Sequence, residues 1–280
     1  MYRYTIGAID VGDNIGKEVI TKYTSPLSSA GEWYTDANGR DSLKRTRNQR
    51  PDFPGFKVIE PVADNYFPVN TFQFLSDATQ GTTLSVVTDR ANGGGSLNDG
   101  ELEFMLHRRL TYDDSKGVNE ILSEPGLDGN GLRIRGNHRL LLDHGSEAAV
   151  NRRQASLDLL FQPQFSFADT TGASGSGNME GVQGDFSGLT NPLPANVHIL
   201  TTQSQDQNTV LIRLAHMFDK NEHGTLSQDV TVGLAHLFSQ YSITEAKEMT
   251  LTGSVELDKT PSYKYHLDDG RKLTLITLIT

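Results

Sequence analysis

The chain has 280 residues, a formal net charge of −10 and no cysteine. The missing thiols exclude disulfide stapling, thiolate metal sites and cysteine nucleophiles. The acidic balance argues against a nucleic-acid partner and a polybasic membrane surface, no apolar run approaches the ~18 residues of a spanning helix, and Met1–Thr5 leads into no hydrophobic signal region.

In chain order, Trp33-Tyr34-Thr35-Asp36-Ala37-Asn38-Gly39-Arg40 sets the single tryptophan ahead of an Asn-Gly turn. Its ring is either a buried anchor, the simpler reading, or a face for stacking a sugar. Arg40–Gly55 is polar and proline-bearing and is expected to run irregularly over the surface. Its Arg40, Lys44, Arg45, Arg47 and Arg50 form a basic patch, a solvated face or a dock for an acidic partner. Strands are predicted at Thr71–Ser76 and Thr82–Thr88, then a turn at Asn92-Gly93-Gly94-Gly95, where the absence of a following helix leaves little support for a phosphate cradle. The turn Asn98-Asp99-Gly100 opens the clearest strand, Glu101–Leu110, with Leu102, Phe104, Leu106 and Leu110 on one face and Glu101, Glu103 and His107 on the other. Carried onward, that phase puts Arg108 on the apolar side and Arg109 opposite. Arg108 then either pairs with Asp113 or Asp114 or projects from a rim toward a ligand.

Further turns are expected at Asp128–Gly131 and Gly136-Asn137, and a strand at Arg139–Asp143. A helix is expected over Glu147–Gln154 and a strand over Ala155–Phe161. Asp169–Gly188, rich in Gly, Ser and Thr, reads as a loop or linker inside one continuous sandwich, or as a sub-domain break. Strands at Val197–Thr202 and Val210–Phe218, a short helix near Ala235–Tyr241, a turn at Asp268–Gly270 and a strand at Lys272–Ile279 complete the chain. The fold class is all-β, packed sandwich sheets with a few short helices.

The eight histidines form no HxH, HxxxH or HExxH pair. His216 shares a face with Val210, Ile212, Leu214 and Phe218, as a hydrogen-bonded core histidine would. No nucleophile-elbow, P-loop or dinucleotide motif occurs, so the residues by themselves carry no self-sufficient active site.

Six collinear blocks carry a resemblance: Asp13–Ile20, Trp33–Asp41, Glu60–Asn70, Thr88–Glu103, His107-Arg-Arg-Leu-Thr-Tyr-Asp-Asp114 and Leu211–Phe218. Together they resemble the C-terminal half of glycoside hydrolase family 38 α-mannosidases of the lysosomal or vacuolar acid type. The resemblance implies a galactose-mutarotase-like supersandwich and membership of a retaining enzyme acting on terminal α-linked mannose. It further implies that zinc and the catalytic carboxylates sit on an N-terminal barrel outside these residues, so this chain holds no metal and is inactive alone. The partners implied are that barrel and mannose-containing glycans, with no nucleic acid or membrane. The compartment implied is a lysosome or an acidic vacuole, or the outside of the cell. By match, Arg108 or Arg109 lines the substrate rim, with Asp99, Asp113 and Asp114 shaping it. Two competing expectations are a free-standing carbohydrate-binding or mutarotase-like β-domain and a purely structural module docking through the Arg40–Arg50 patch.

Overall fold

Period-two burial pairs the first half of the chain into two antiparallel sheets. The computed structural model describes residues 1–167, 184–260, 264–266 and 272–274. They divide into two compact units, Met1–Gln164 with Phe218–Gly224, and Phe165–Met217 with Thr225–Thr280.

In the first unit, β1 (Tyr2–Ile6), β3 (Glu32–Ala37), β4 (Asp41–Thr46), β6 (Phe72–Asp77), β7 (Thr82–Thr88) and β10 (Ile134–His144) form one sheet. Its order is β1-β10-β7-β6-β3-β4. The second sheet joins β2 (Lys17–Thr24), β9 (Glu101–Arg109), β8 (Asn92–Gly95) and β5 (Tyr66–Val69) in the order β2-β9-β8-β5. Trp33, Leu75, Leu84 and Val86 of the first sheet pack against Val69, Leu102 and Phe104 of the second. This is the all-β sandwich expected. The opposite face of the larger sheet is covered by α1 (Glu147–Leu160), whose Ala155 and Leu159 meet Phe72, Phe74 and Val87. Cover on both faces leaves β6 and β7 buried at nearly every position.

The corner Asn70-Thr71, where the chain passes from β5 in one sheet to β6 in the other, is held by Asp36. This carboxylate is only 3% exposed. Its Oδ1 accepts from the backbone N–H groups of Asn70 (2.8 Å), Thr71 (2.9 Å) and Phe72 (3.1 Å). Its Oδ2 accepts from Gly39 N (2.7 Å) in the Asn38-Gly39 turn and from Thr71 Oγ1 (2.8 Å). Helix α1 is fastened by Arg152 and Arg153, both buried, which share Glu222 at 2.9 and 2.8 Å. Arg153 Nη1 also donates to Gly39 O at 2.7 Å.

Several expectations are corrected. Ala155–Phe161 is helical through Leu160, because its buried positions Arg152, Ala155, Ser156 and Leu159 recur at helical spacing. Asn92–Gly95 is a strand, β8. A Cβ at Gly94 would lie 2.6 Å from Val69 and 2.7 Å from Gln73, so the glycines permit close sheet packing. Gly136-Asn137 lies inside β10. Arg40–Gly55 contains β4, an edge strand whose charged residues hide the alternation. Residues 235–241 form a turn and an isolated bridge from Phe238 to Leu189 where a helix was expected.

The second unit contains the hairpin β11 (Val197–Ser204) and β12 (Val210–His216), with a bulge between Ile199 and Thr201. His216 is hydrogen-bonded, its Nε2 lying 3.1 Å from both Asn196 Nδ2 and Gln228 O. A short pair, β13 (Lys264–His266) and β14 (Lys272–Thr274), covers the start of the predicted Lys272–Ile279 strand. The Asp268–Gly270 turn, residues 275–279 and most of the Asp169–Gly188 segment lie outside the described residues.

Asp36→Ala leaves five donors without their acceptor. It should lower unfolding free energy by at least about 3 kcal/mol, read from the urea midpoint at unchanged m-value.

Candidate functional site

The His107-Arg108-Arg109 end of β9 is shaped by a bulge. Val19 pairs with His107 and Ile20 with Met105, so Leu106 is an extra residue opposite the unbroken β2. Before the bulge, Thr21 and Tyr23 face inward with Phe104 and Leu102. After it, Arg108 lies opposite Glu18 on the other face, and Arg109 takes the inward phase beside Lys17. The expected side for Arg108 is thereby reversed.

The two arginines then have different surroundings. Arg108 Nη2 donates to Glu18 Oε2 at 3.0 Å, and its side chain is 43% exposed. It borders a groove of about 360 Å³ lined also by Glu18, Pro68, Asn92, Met105 and His107. Arg109 is tied down: Nη1 donates to Ile9 O and Asn130 O, both at 2.8 Å, and Nε to Ser123 Oγ at 3.1 Å. Asp113 and Asp114 accept from Ser115 N (2.8 Å) and Lys116 N (3.0 Å), each closing its own turn, and neither pairs with Arg108.

Asp99 is placed elsewhere. It precedes β9 while Arg108 lies next to that strand's last residue, and the strand between them runs roughly 23 Å. There it accepts from Gly31 N (3.0 Å) and Arg47 Nη2 (2.9 Å), and the Arg47 guanidinium holds its carboxyl below the ordinary value. Sequence reasoning missed Glu18. The inward set Val19, Thr21 and Tyr23 marks β2 as a strand, but its register against β9 depends on the bulge.

Trp33 is fully buried and meets Phe67 edge-on at 5.7 Å, so its face is closed to a sugar ring. The basic run is largely spent inside the first unit. Arg45 and Arg50 lie 4.2 and 4.1 Å from the Phe67 ring centroid, Lys44 pairs with Glu32 at 2.7 Å, and Arg47 with Asp99. Among the described residues no three His, Asp or Glu side chains converge to hold a metal, so the residues here do not fit a zinc ion. Nor is any described helix long and apolar enough to cross a membrane.

His138 of β10 is fully buried between the sheets, with Nδ1 2.8 Å from the Tyr23 hydroxyl. Burial pushes its pKa down to about 4.

Residues 6–116 match the family described as "Glycosyl hydrolases family 38 C-terminal domain". The chain is 41% identical over 270 residues to the lysosomal alpha-mannosidase of Homo sapiens, covering 95% of this chain and 26% of that protein. It is 39% identical over 256 residues to an alpha-mannosidase of Arabidopsis thaliana (90% and 25%) and 35% identical over 274 residues to the alpha-mannosidase of Canavalia ensiformis (95% and 27%). The chain thus spans about a quarter of the length of these curated relatives.

His138 is neutral in the fold and protonates more readily once unfolded, so it withdraws stability as pH falls from about 6.5 to about 4 and adds nothing above that window. Chemical denaturation at pH 7 and pH 4 should show a loss of about 3 kcal/mol that His138→Gln does not share. Parallel pH profiles of the two proteins would contradict this.

Proposed function

We propose that the chain belongs to glycosyl hydrolase family 38, whose C-terminal domain matches residues 6–116, and that it is the non-catalytic β-sandwich portion of a retaining α-mannosidase acting on terminal α-D-mannose. The observation that carries this reading is similarity along 95% of the chain to proteins named alpha-mannosidase that are about four times longer. Retaining hydrolysis requires a nucleophilic carboxylate and an acid/base carboxylate about 5–5.5 Å apart. The carboxylates near β9's end are already committed, Glu18 to Arg108 and Asp113 and Asp114 to their own turns. In this reading the acid/base pair, the nucleophile and the zinc ion belong to an N-terminal catalytic barrel, the partner of this chain, and the chain is inactive alone.

Arg108 is the residue this chain offers to the pocket rim. Guanidinium carries five N–H donors, and the pair with Glu18 fixes its direction while leaving donors for sugar hydroxyls. Arg109, held by two carbonyls and a serine, secures the strand end beneath it. The lysosomal relatives support an acidic lysosomal or vacuolar compartment, with mannose-containing glycans as substrates.

In the complete enzyme, Arg108→Ala should lower kcat/KM by roughly 10- to 100-fold, the value of one or two charge-assisted hydrogen bonds. Thermal stability should stay unchanged, because an exposed ion pair contributes little to it. Arg108→Lys should recover part of the loss. Full kcat/KM in the alanine variant would contradict the assignment.

A further inference from the structure

One cationic cavity of the first unit has no part in the reading above. It measures about 510 Å³ and lies where β1 meets β10 and the end of β7, lined by Arg3, Arg90, Arg135, Asp89, Asn137 and Thr5 among others. Three arginines face one aspartate there, in a chain whose net charge is −10.

The ladder register makes this clustering specific. Arg3 lies directly across from Asn137, and Thr5 directly across from Arg135. All four side chains therefore share one face of the sheet, and Arg3 and Arg135 are diagonal neighbours. Diagonal positions sit about 7–8 Å apart, within reach of long side chains, and like charges so placed repel. Arg3 and Arg135 are exposed and neither forms an ion pair with an acid among the described residues, the one carboxylate of the lining, Asp89, being paired with Arg90. The third arginine is oriented in advance: Arg90 Nε meets Asp89 Oδ1 at 3.2 Å, and its Nη2 donates to the Arg135 carbonyl. Asp89 is itself anchored by Asn137 Nδ2 at 2.8 Å. Gly136 lies between Arg135 and Asn137, where a Cβ would overlap the Tyr4 hydroxyl, so the two strands close tightly beneath the cluster.

We infer that this cavity is a binding site for a phosphate group, free or carried on a small molecule. Guanidinium groups match tetrahedral oxyanions through paired N–H donors, and an anion between Arg3 and Arg135 converts their repulsion into two attractions. Beside the oxyanion, the volume leaves space for a body the size of a hexose, with Asn137 and Thr5 among its polar contacts. This inference does not depend on the mannosidase reading.

The test is calorimetric titration of the 280-residue chain with inorganic phosphate, a hexose 6-phosphate and the unphosphorylated hexose. Phosphate should bind, the plain hexose should not, and Arg3→Gln and Arg135→Gln should each weaken phosphate binding about tenfold. A hexose phosphate that binds tenfold or more tighter than inorganic phosphate supports a phosphorylated small molecule as the ligand. Equal affinities support the free ion. A thermal scan gives a second readout: phosphate should raise the melting temperature of the parent chain and not that of the Arg3→Gln, Arg135→Gln double variant. Without phosphate, the double variant should melt no lower than the parent, since it loses only a repulsion. No heat with phosphate at about 10 mM, or a double variant that binds like the parent, would overturn the inference.

Discussion

The sandwich of the first unit depends on one buried carboxylate. The chain passes between the two sheets several times, most sharply at Asn70-Thr71, where two residues separate β5 from β6 and backbone N–H groups point inward. Asp36 accepts three of them, and with its other oxygen it holds the Asn38-Gly39 turn and the Thr71 hydroxyl. Both sheets are thereby registered to β3, which carries Trp33 into the shared core. Gly39 then serves a second purpose, since its carbonyl receives Arg153 from α1. Core, corner and covering helix meet on eight residues of sequence, Trp33 to Arg40.

At the same end of the sandwich, where Asn70 and Arg108 border one groove, a single extra residue decides which arginine faces outward. The bulge at Leu106 turns Arg108 out beside Glu18 and draws Arg109 into a set of carbonyls. Bulges re-aim side chains at sheet edges in this way. An exposed ion pair is a poor source of stability, so the Arg108–Glu18 geometry is better understood as orienting a charge than as holding the strands together. His138 pulls in the other direction. A neutral histidine buried between the sheets costs stability on acidification, which in an acidic compartment the rest of the core must offset.

How much of this was legible beforehand follows from where each signal resides. Strand β9 shows in its alternation of apolar and charged residues, and β6, β7, β11 and β12 show as short apolar stretches between turns, although β6 and β7 are covered on both faces and their burial does not alternate. Strand β8 is invisible to that criterion, since three of its four residues are glycines with no side chain to alternate. Strand β4 is an edge with charges on both faces, and the inward stripe of α1 is carried by Arg152 and Arg153, which hydropathy scores as surface. Their partner Glu222 comes some seventy residues later, beyond any local pattern. At the candidate site the His107-Arg108-Arg109 block was readable as a place of interest. The choice between its arginines was not, because a bulge is a relation between two strands. Asp99, grouped with them along the chain, is carried a full strand length away.

As proposed, this β-sandwich serves a hydrolase without holding its reacting groups. The most direct measurement is release of nitrophenol from 4-nitrophenyl α-D-mannoside by the purified chain with zinc, alone and after addition of the catalytic barrel of a family 38 enzyme. The chain alone should give no release above the blank, and turnover should appear once the barrel is present. Steady turnover by the chain alone would contradict the proposal.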